Sequence, residues 1–269
     1  MIYLKSEQEI KRLRNAAQIV SRTLAEVAKY IEPGVETGFL DKVAEEYIKK
    51  MNARPAFKGY GSKKNPFPAT LCVSVNEEVV HGIPGTRVLN EGDIVSVDCG
   101  VEKDGYFGDH AYTFMVGECD EKTVKLLKTT LESLYIGIDK AIHGNRIGDV
   151  GSAIQNYCEE RGFGIVRELV GHGIGKSMHE DPSVPNFGKP GKGERLRSGM
   201  TLAVEPMVTE GDKSVETLID GWTIVTKDRK KSAHFEHDIV IREGEAEILS
   251  TFDYITEITK NEIIDISYG

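Results

Sequence analysis

The chain has 269 residues, 39% of them hydrophobic, and a formal net charge of −9, which is typical of a globular protein that buries a sizeable core. The acidic balance argues against a dedicated nucleic-acid binder, whose surface would be basic. No apolar run reaches membrane length, the N-terminal residues lack a signal-peptide pattern, and the four cysteines show no CxxC spacing. We therefore expect a cytoplasmic protein without a disulfide framework, a zinc ribbon or a membrane anchor.

The first part of the chain predicts two helices followed by strands. Residues 6–9 form a capping-box pattern before apolar residues at helical spacing, and the Glu-Pro-Gly sequence at 32–34 ends this helix. A second helix is predicted to begin at Thr37. Residues 52–68 are rich in Gly, Pro, Lys and Asn and are predicted to form a loop, whereas residues 70–75 predict a strand.

Two runs of β-forming residues joined by Asp104-Gly105 then predict an antiparallel hairpin. With a two-residue turn, Gly100 lies opposite Asp109, and Asp98 lies one diagonal step away on the same face. Two facing carboxylates on apolar strands resist burial unless a positive charge lies between them, and a divalent cation is the simplest candidate. Solvated or turn-capping aspartates are the alternative for these two residues taken alone.

The second part of the chain repeats the order of helix, break, helix and strands. A helix is predicted from Asp120 to a break at 143–145, and another over residues 149–161. We therefore predict one catalytic domain over residues 1–269, with two similar halves at about 1–118 and 119–269 and a site in the cleft between them.

His172 lies between glycines in the segment 171–175, which lets the backbone approach a ligand closely and favours a functional position. His179 follows seven residues later, so a turn is needed if both histidines serve one site.

Two glutamates lie within apolar strands that follow. Residues 201–208 predict a strand with Glu205 in its middle, and the proline after this glutamate marks an irregular position. Residues 222–226 and 232–241 predict a hairpin, and Glu236 lies in its second strand. Glutamate is rarely buried without a partner. A salt-bridged core residue would explain either glutamate singly, but it explains the two together with the earlier aspartates and histidine poorly.

Four carboxylates and one imidazole thus form a candidate metal site, and they are Asp98, Asp109, His172, Glu205 and Glu236. Two divalent cations would balance the four negative charges, and oxygen-rich ligands with one histidine suit Mn, Fe, Co or Zn. Two such ions can share a bridging hydroxide, lower its pKa and polarise a carbonyl. The chemistry that this set supports is the hydrolysis of an amide or an ester.

The order of seven short motifs resembles the type I methionine aminopeptidase family over nearly the whole chain. These motifs are His81-Gly82-Ile83-Pro84, Val97-Asp98, Gly108-Asp109, Gly171-His172-Gly173-Ile174-Gly175, Met178-His179-Glu180, Val204-Glu205-Pro206-Met207 and Phe235-Glu236-His237. The resemblance implies an α+β pita-bread fold with two pseudo-symmetric halves, an antiparallel sheet, helices on the outside and a dinuclear metal site in the central cleft.

The same resemblance implies roles for individual residues. The five residues of the candidate metal site would be the ligands, and Glu205 would also exchange protons with the bridging water. His81 would contact the region of the scissile nitrogen, and His179 would stabilise charge on the carbonyl oxygen. The methionine pocket would be formed by Tyr60, Phe67, Cys72, His81, Met178 and Trp222.

Several residues depart from the pattern of the family. Met178 stands where an aromatic residue is common, and the loop at 61–66 is longer than expected, so the shape of the methionine pocket is expected to differ. His234 shares a strand face with Glu236 and is a candidate for contact with the ligands. His110 and His237 directly follow ligands and are expected to face away from the site.

Substrates implied by the resemblance are nascent polypeptides that begin with methionine, bound by a monomer near the ribosome. A proline-specific peptidase of the same fold is one alternative, but such enzymes usually carry a large domain before the metal-binding domain. A type II enzyme would need a helical insertion, for which the segment between His179 and Glu205 is too short. A non-catalytic binding protein of this fold is the alternative from another class, and such relatives have typically lost metal ligands.

Overall fold

A computed structural model describes residues 2–259. Its five helices are α1 (Glu7–Ala28), α2 (Thr37–Lys50), α3 (Glu121–Lys140), α4 (Ile147–Glu160) and α5 (Asp253–Thr259). Within this part of the chain, none of the helices has the length and apolar character needed to cross a membrane.

The strands of the described chain are short except for two in the centre. In chain order they are β1 (Arg54–Pro55), β2 (Gly61–Ser62), β3 (Asn65–Pro66), β4 (Leu71–Val75), β5 (Glu78–Val80), β6 (Ile94–Lys103), β7 (Tyr106–Met115), β8 (Gly164–Ile165), β9 (Gly171–Gly173), β10 (Glu180–Val184), β11 (Thr201–Val204), β12 (Met207–Thr209), β13 (Val215–Thr217), β14 (Ile224–Thr226), β15 (Ser232–His234), β16 (His237–Val240) and β17 (Glu247–Ile248). Neighbouring strands in these sheets are antiparallel.

Helices α1 and α3 begin with side-chain caps, and the first of these caps was predicted from the sequence. In α1 the Ser6 hydroxyl accepts a hydrogen bond from the Glu9 backbone, and the Glu9 carboxylate accepts one from the Ser6 backbone. Asp120 caps α3 through the Thr123 N–H at 2.8 Å. The first helix ends at Ala28, a few residues before the predicted stop. An apolar cluster beneath the helices contains buried residues of all five helices and of the central strands.

The hairpin of β6 and β7 has the predicted register. Gly100 pairs with Asp109 and Asp98 pairs with Ala111, so the two carboxylates lie on one face in diagonal positions. Gly108 is required by packing, because a Cβ atom there would lie 2.5 Å from the Ala17 nitrogen of α1. Helix α1 therefore lies directly against β7 and supports the strand that carries Asp109.

Three sequence predictions about local structure are corrected. The predicted loop at 52–68 contains the short strands β1, β2 and β3. The predicted strand at 201–208 is interrupted between Val204 and Met207, because Pro206 cannot donate to a ladder. The predicted hairpin of 222–226 with 232–241 is wrong: β14 pairs with β13 and β5, whereas β15 pairs with β12. The division into halves at 1–118 and 119–269 stays a prediction.

Candidate active site

A cavity of about 250 Å³ is lined by all the residues predicted as metal ligands, catalytic residues or methionine-pocket residues. Phe57 joins them. Within the described part of the chain, the lining residues are Phe57, Tyr60, Phe67, Cys72, His81, Asp98, Asp109, His172, Met178, His179, Glu205, Trp222 and Glu236. Side chains that are distant in sequence therefore meet in one place.

The two glutamates lie where the chain crosses from one sheet to another. Strands β11 and β16 pair in a five-stranded sheet, and β12 and β15 pair in a separate three-stranded sheet. Glu205 lies between β11 and β12, and Glu236 lies between β15 and β16. Because these residues are outside regular pairing, their side chains can turn into the cavity. The N–H of Glu236 is held by the Ala111 carbonyl of β7 at 3.0 Å.

His172 is prepared to act as a ligand through Nε2. Its Nδ1–H donates to the Gly173 carbonyl at 2.9 Å, which leaves the lone pair on Nε2. This nitrogen lies 3.8 Å from Asp109 Oδ2 and 3.6 Å from Glu205 Oε1. Three candidate ligand atoms lie within 4.8 Å of one another, one each from Asp109, His172 and Glu236. These separations suit donor atoms arranged around a common ion.

Burial and mutual repulsion raise the pKa values of the acidic groups. Burial raises the pKa of Asp98 to about 7, although a hydrogen bond with Asp109 opposes this shift. Burial and then the neighbouring carboxylates raise the pKa values of Asp109, Glu205 and Glu236 well above the ordinary range. Such a cluster is stable in its charged form only beside positive charge.

The chemistry of the donor set fits divalent metal ions. Asp98 Oδ1 and Glu236 Oε1 are buried oxygens without a hydrogen-bond partner among residues 2–259. Carboxylate oxygens and one imidazole nitrogen are hard or borderline donors, which match Mn, Fe, Co and Zn rather than thiophilic metals.

The two other cavity histidines have distinct environments. Burial lowers the pKa of His81 to about 4, so its imidazole is neutral near pH 7, and its backbone has φ +59°, in the left-handed region. His179 contacts the Tyr60 hydroxyl through Nδ1 at 2.7 Å. Its ring centroid lies 4.2 Å from that of His172, because the chain turns between the two residues as the sequence required.

The apolar side of the cavity comes mostly from loops and strand ends. Phe57, Phe67 and Met178 are buried together with Cys72, and Trp222 packs against this cluster. The Phe67 and Trp222 rings meet edge to face at 5.2 Å.

The long loop at 61–66 forms the β2–β3 hairpin beside this wall. Asn65 Nδ2 donates to the Asp220 carbonyl at 3.0 Å, and a Cβ atom on Gly61 would lie 2.6 Å from the Trp222 ring. The hairpin therefore bridges the segments that carry Tyr60 and Trp222.

Sequence reasoning missed Phe57 and Asp238. The Asp238 carboxylate is buried and accepts a hydrogen bond from the Asp109 N–H at 2.8 Å. Its position two residues after Glu236, within an apolar run, was the available signal. His110 and His237 do face away from the cavity, where they stack at 4.9 Å and pack against Phe252.

A family model for metallopeptidase family M24 matches residues 11–243. The methionine aminopeptidase of Clostridium acetobutylicum is 52% identical over 251 residues, which cover 93% of this chain and 99% of the relative. The chain belongs to metallopeptidase family M24, among the methionine aminopeptidases. The family and fold predicted from the seven motifs are thereby confirmed.

Solved structures of M24 proteins support the same placement. A methionine aminopeptidase from Thermotoga maritima superposes with a TM-score of 0.90 and 48% identity, covering 93% of this chain and all of the other. An X-Pro aminopeptidase from the same organism has a TM-score of 0.73 at 22% identity, covering 92% of this chain and 62% of the other. The second likeness shows the fold alone, so the M24 relatives do not favour the proline-specific alternative.

Proposed function

We propose that this protein is a metal-dependent aminopeptidase that hydrolyses the bond after an N-terminal methionine. The observation that carries the proposal is the meeting of an acidic cluster with an apolar pocket in one cavity of about 250 Å³. The acidic cluster suits metal-dependent hydrolysis, and the apolar pocket suits an unbranched apolar side chain. The high identity to methionine aminopeptidases adds independent support.

The proposed metal ligands are Asp98, Asp109, His172, Glu205 and Glu236. We propose two divalent ions, since four carboxylates carry the charge that two such ions balance. Bound ions would supply Lewis-acid activation of a water molecule and of the scissile carbonyl. Mn, Fe, Co and Zn all accept donors of this kind.

Glu205 is the proposed general acid and base. Its carboxylate lies in the cavity, and burial together with nearby acids raises its affinity for a proton. A carboxylate of this kind can accept a proton from the attacking water and pass it to the leaving nitrogen. His81 lines the same cavity, is neutral near pH 7, and is proposed to contact that nitrogen.

His179 is the proposed donor to the carbonyl oxygen of the substrate. If the Tyr60 hydroxyl donates to Nδ1, the neutral ring carries its proton on Nε2. Burial lowers the pKa of His179, which keeps the ring neutral near pH 7. The Nε2–H can then donate to an oxygen on which negative charge develops.

Methionine specificity is assigned to Tyr60, Phe67, Cys72, Met178 and Trp222, with His81 beside them. The thioether of methionine packs well against aromatic rings, which this wall provides. The free amine of the substrate would lie by the acidic cluster, which explains removal of a terminal residue rather than internal cleavage. Action on nascent chains at the ribosome, a monomeric state and a cytoplasmic location stay predictions from the resemblance.

The test compares two peptides with chelator-treated protein reloaded with Mn²⁺, Fe²⁺, Co²⁺ or Zn²⁺. Release of methionine from Met-Ala-Ser is expected with at least one metal, and no cleavage of Ala-Pro-Ala. Elemental analysis is expected to find two ions per active chain. Cleavage of Ala-Pro-Ala alone would establish the proline-specific alternative, and metal binding without turnover of either peptide would favour a binding protein.

A further inference from the structure

We propose that His234 is a positioning residue, which holds the carboxylates of Glu205 and Glu236 by donating from Nε2. The inference rests on the proposed function, because these two glutamates are proposed metal ligands. His234 lies on β15 and is 2% exposed. It does not line the cavity, so its contact with the reaction is indirect.

The position of the imidazole follows from a well-anchored backbone. The His234 N–H donates to Thr113 Oγ1 at 2.9 Å, and the Thr113 hydroxyl donates back to the His234 carbonyl at 2.7 Å. Thr113 Oγ1 lies 2.8 Å from Ser96 Oγ, within the central hairpin. Strand β15 is therefore fastened to the sheet that carries Asp98 and Asp109, and the ring is held in place.

The ring nitrogen Nε2 faces both glutamates. It lies 3.8 Å from Glu205 Oε2 and 3.9 Å from Glu236 Oε2. Neither of its ring nitrogens has a hydrogen-bond partner in the described part of the chain. Buried polar groups are nearly always hydrogen-bonded. The two glutamate oxygens are therefore the natural acceptors of the His234 Nε2–H once the side chains move from these separations to hydrogen-bonding distance.

His172 and His234 differ in the ring nitrogen that can carry the proton, which distinguishes a metal ligand from a hydrogen-bond donor. The Nδ1–H of His172 donates to a backbone carbonyl, which fixes the lone pair on Nε2 and prepares that atom for a metal. Among residues 2–259, no such acceptor holds a proton on Nδ1 of His234, so its Nε2 can carry the proton. Glu205 thus lies between two imidazoles: Oε1 faces the lone pair of His172, and Oε2 faces the proposed N–H of His234.

The consequence concerns metal affinity. A hydrogen bond to the outer oxygen of a ligand carboxylate orients the carboxylate, and loss of such a bond weakens metal binding by about 10- to 100-fold. His234→Leu removes the donor and keeps an apolar side chain of similar size. His234→Gln places an amide N–H near the position of Nε2, whereas the amide of His234→Asn is too short to reach it.

The test measures Mn²⁺ binding to metal-free protein by isothermal titration calorimetry. We expect His234→Leu and His234→Asn to weaken binding by about 10- to 100-fold, with His234→Gln close to the unsubstituted protein. Val208→Ala is the control, because it opens a cavity in the partner strand without removing a polar group. Its Mn²⁺ affinity is expected to be unchanged.

Two results would overturn the inference. The first is unchanged affinity in the Leu and Asn variants while the unsubstituted protein binds two ions. The second is the loss of an imidazole from the X-ray absorption spectrum of the Co²⁺-loaded His234→Gln variant, which would make His234 a ligand. Absence of Mn²⁺ binding in the unsubstituted protein would instead refute the proposed function, and this inference with it. Should His234→Leu fail to fold, the comparison of the Gln and Asn variants decides.

Discussion

The two sides of the cavity are built in different ways. The acidic side comes from residues on or directly between strands, and Glu236 is only 2% exposed. The apolar side comes largely from loops and strand ends, and Tyr60 is 42% exposed. The groups proposed for the reaction are thus held on strands or at the short crossings between them, whereas the surface that selects the side chain lies largely on segments that can vary.

The largest expected effect is on the acidic side. Glu205→Gln keeps the shape of the side chain but removes the proton acceptor, so kcat is expected to fall by about 10²- to 10⁴-fold. Steady-state kinetics with Met-Ala-Ser measures this loss. Asp139→Asn, an exposed substitution on α3, is the control and should retain full activity. A Glu205→Gln enzyme with ordinary kcat would remove the residue from the proposed mechanism.

A smaller effect is expected on the apolar side. Trp222→Ala opens the pocket beside Phe67 and is expected to lower kcat/KM for methionine peptides by about 10- to 100-fold, since pocket contacts contribute only a few kcal/mol. The loss should appear mainly in KM, because the acidic side is intact. A fall in kcat with unchanged KM would mean that the two sides are not separable in this way.

Tyr60 lines the cavity and also contacts His179, so its substitution tests whether the two sides act separately. Tyr60→Phe keeps the aromatic ring of the pocket but removes the hydroxyl that contacts His179 at 2.7 Å. Loss of one hydrogen bond is expected to lower kcat by about 3- to 10-fold with little change in KM. Phe67→Leu, which alters the same wall without touching His179, should change KM instead. Kinetics that place the Tyr60→Phe effect in KM would argue that Tyr60 acts only as a pocket residue.

The smallest expected effect concerns the stability of metal-free protein between pH 7 and pH 8. The pKa values of Asp98, Asp109, Glu205 and Glu236 are raised in the folded state, and the folded value of Asp98 is about 7. These groups therefore favour the folded state at low pH. They lose that contribution as the pH rises through their folded pKa values.

Buried histidines change the stability of the folded state in the opposite direction, but at pH values below 7. The pKa of His172 is lowered to about 4 by burial, so its contribution is complete above the ordinary value of 6.5 and is lost as the pH falls. We therefore expect the Tm of chelator-treated protein to be lower at pH 8 than at pH 7 by about 2 °C or more, and Mn²⁺ to abolish the difference. An equal or higher Tm at pH 8 in metal-free protein would contradict the predicted direction.

Local signals in the sequence were sufficient for a large part of the molecule. The alternation of residues and the Asp-Gly turn determine the register of β6 and β7, because both operate between neighbours in the chain. Caps at Ser6 and Asp120 act within a single helical turn for the same reason. The acidic residues of the candidate metal site could be chosen from the sequence because glutamate and aspartate in apolar strands need a partner. The methionine pocket and the roles of His81 and His179 were predicted only from the resemblance to the family.

The pairing of strands that are distant in sequence follows from long-range packing and not from local signals. Residues 222–226 and 232–241 are adjacent in sequence, yet β14 pairs with β5 and β15 pairs with β12. Strand propensity specifies no partner when several edges are available, so this choice depends on packing across the whole chain. The same long-range pairing places Asp238 beside Asp109 and turns Glu205 and Glu236 inward, because each glutamate lies where the chain leaves one sheet for another.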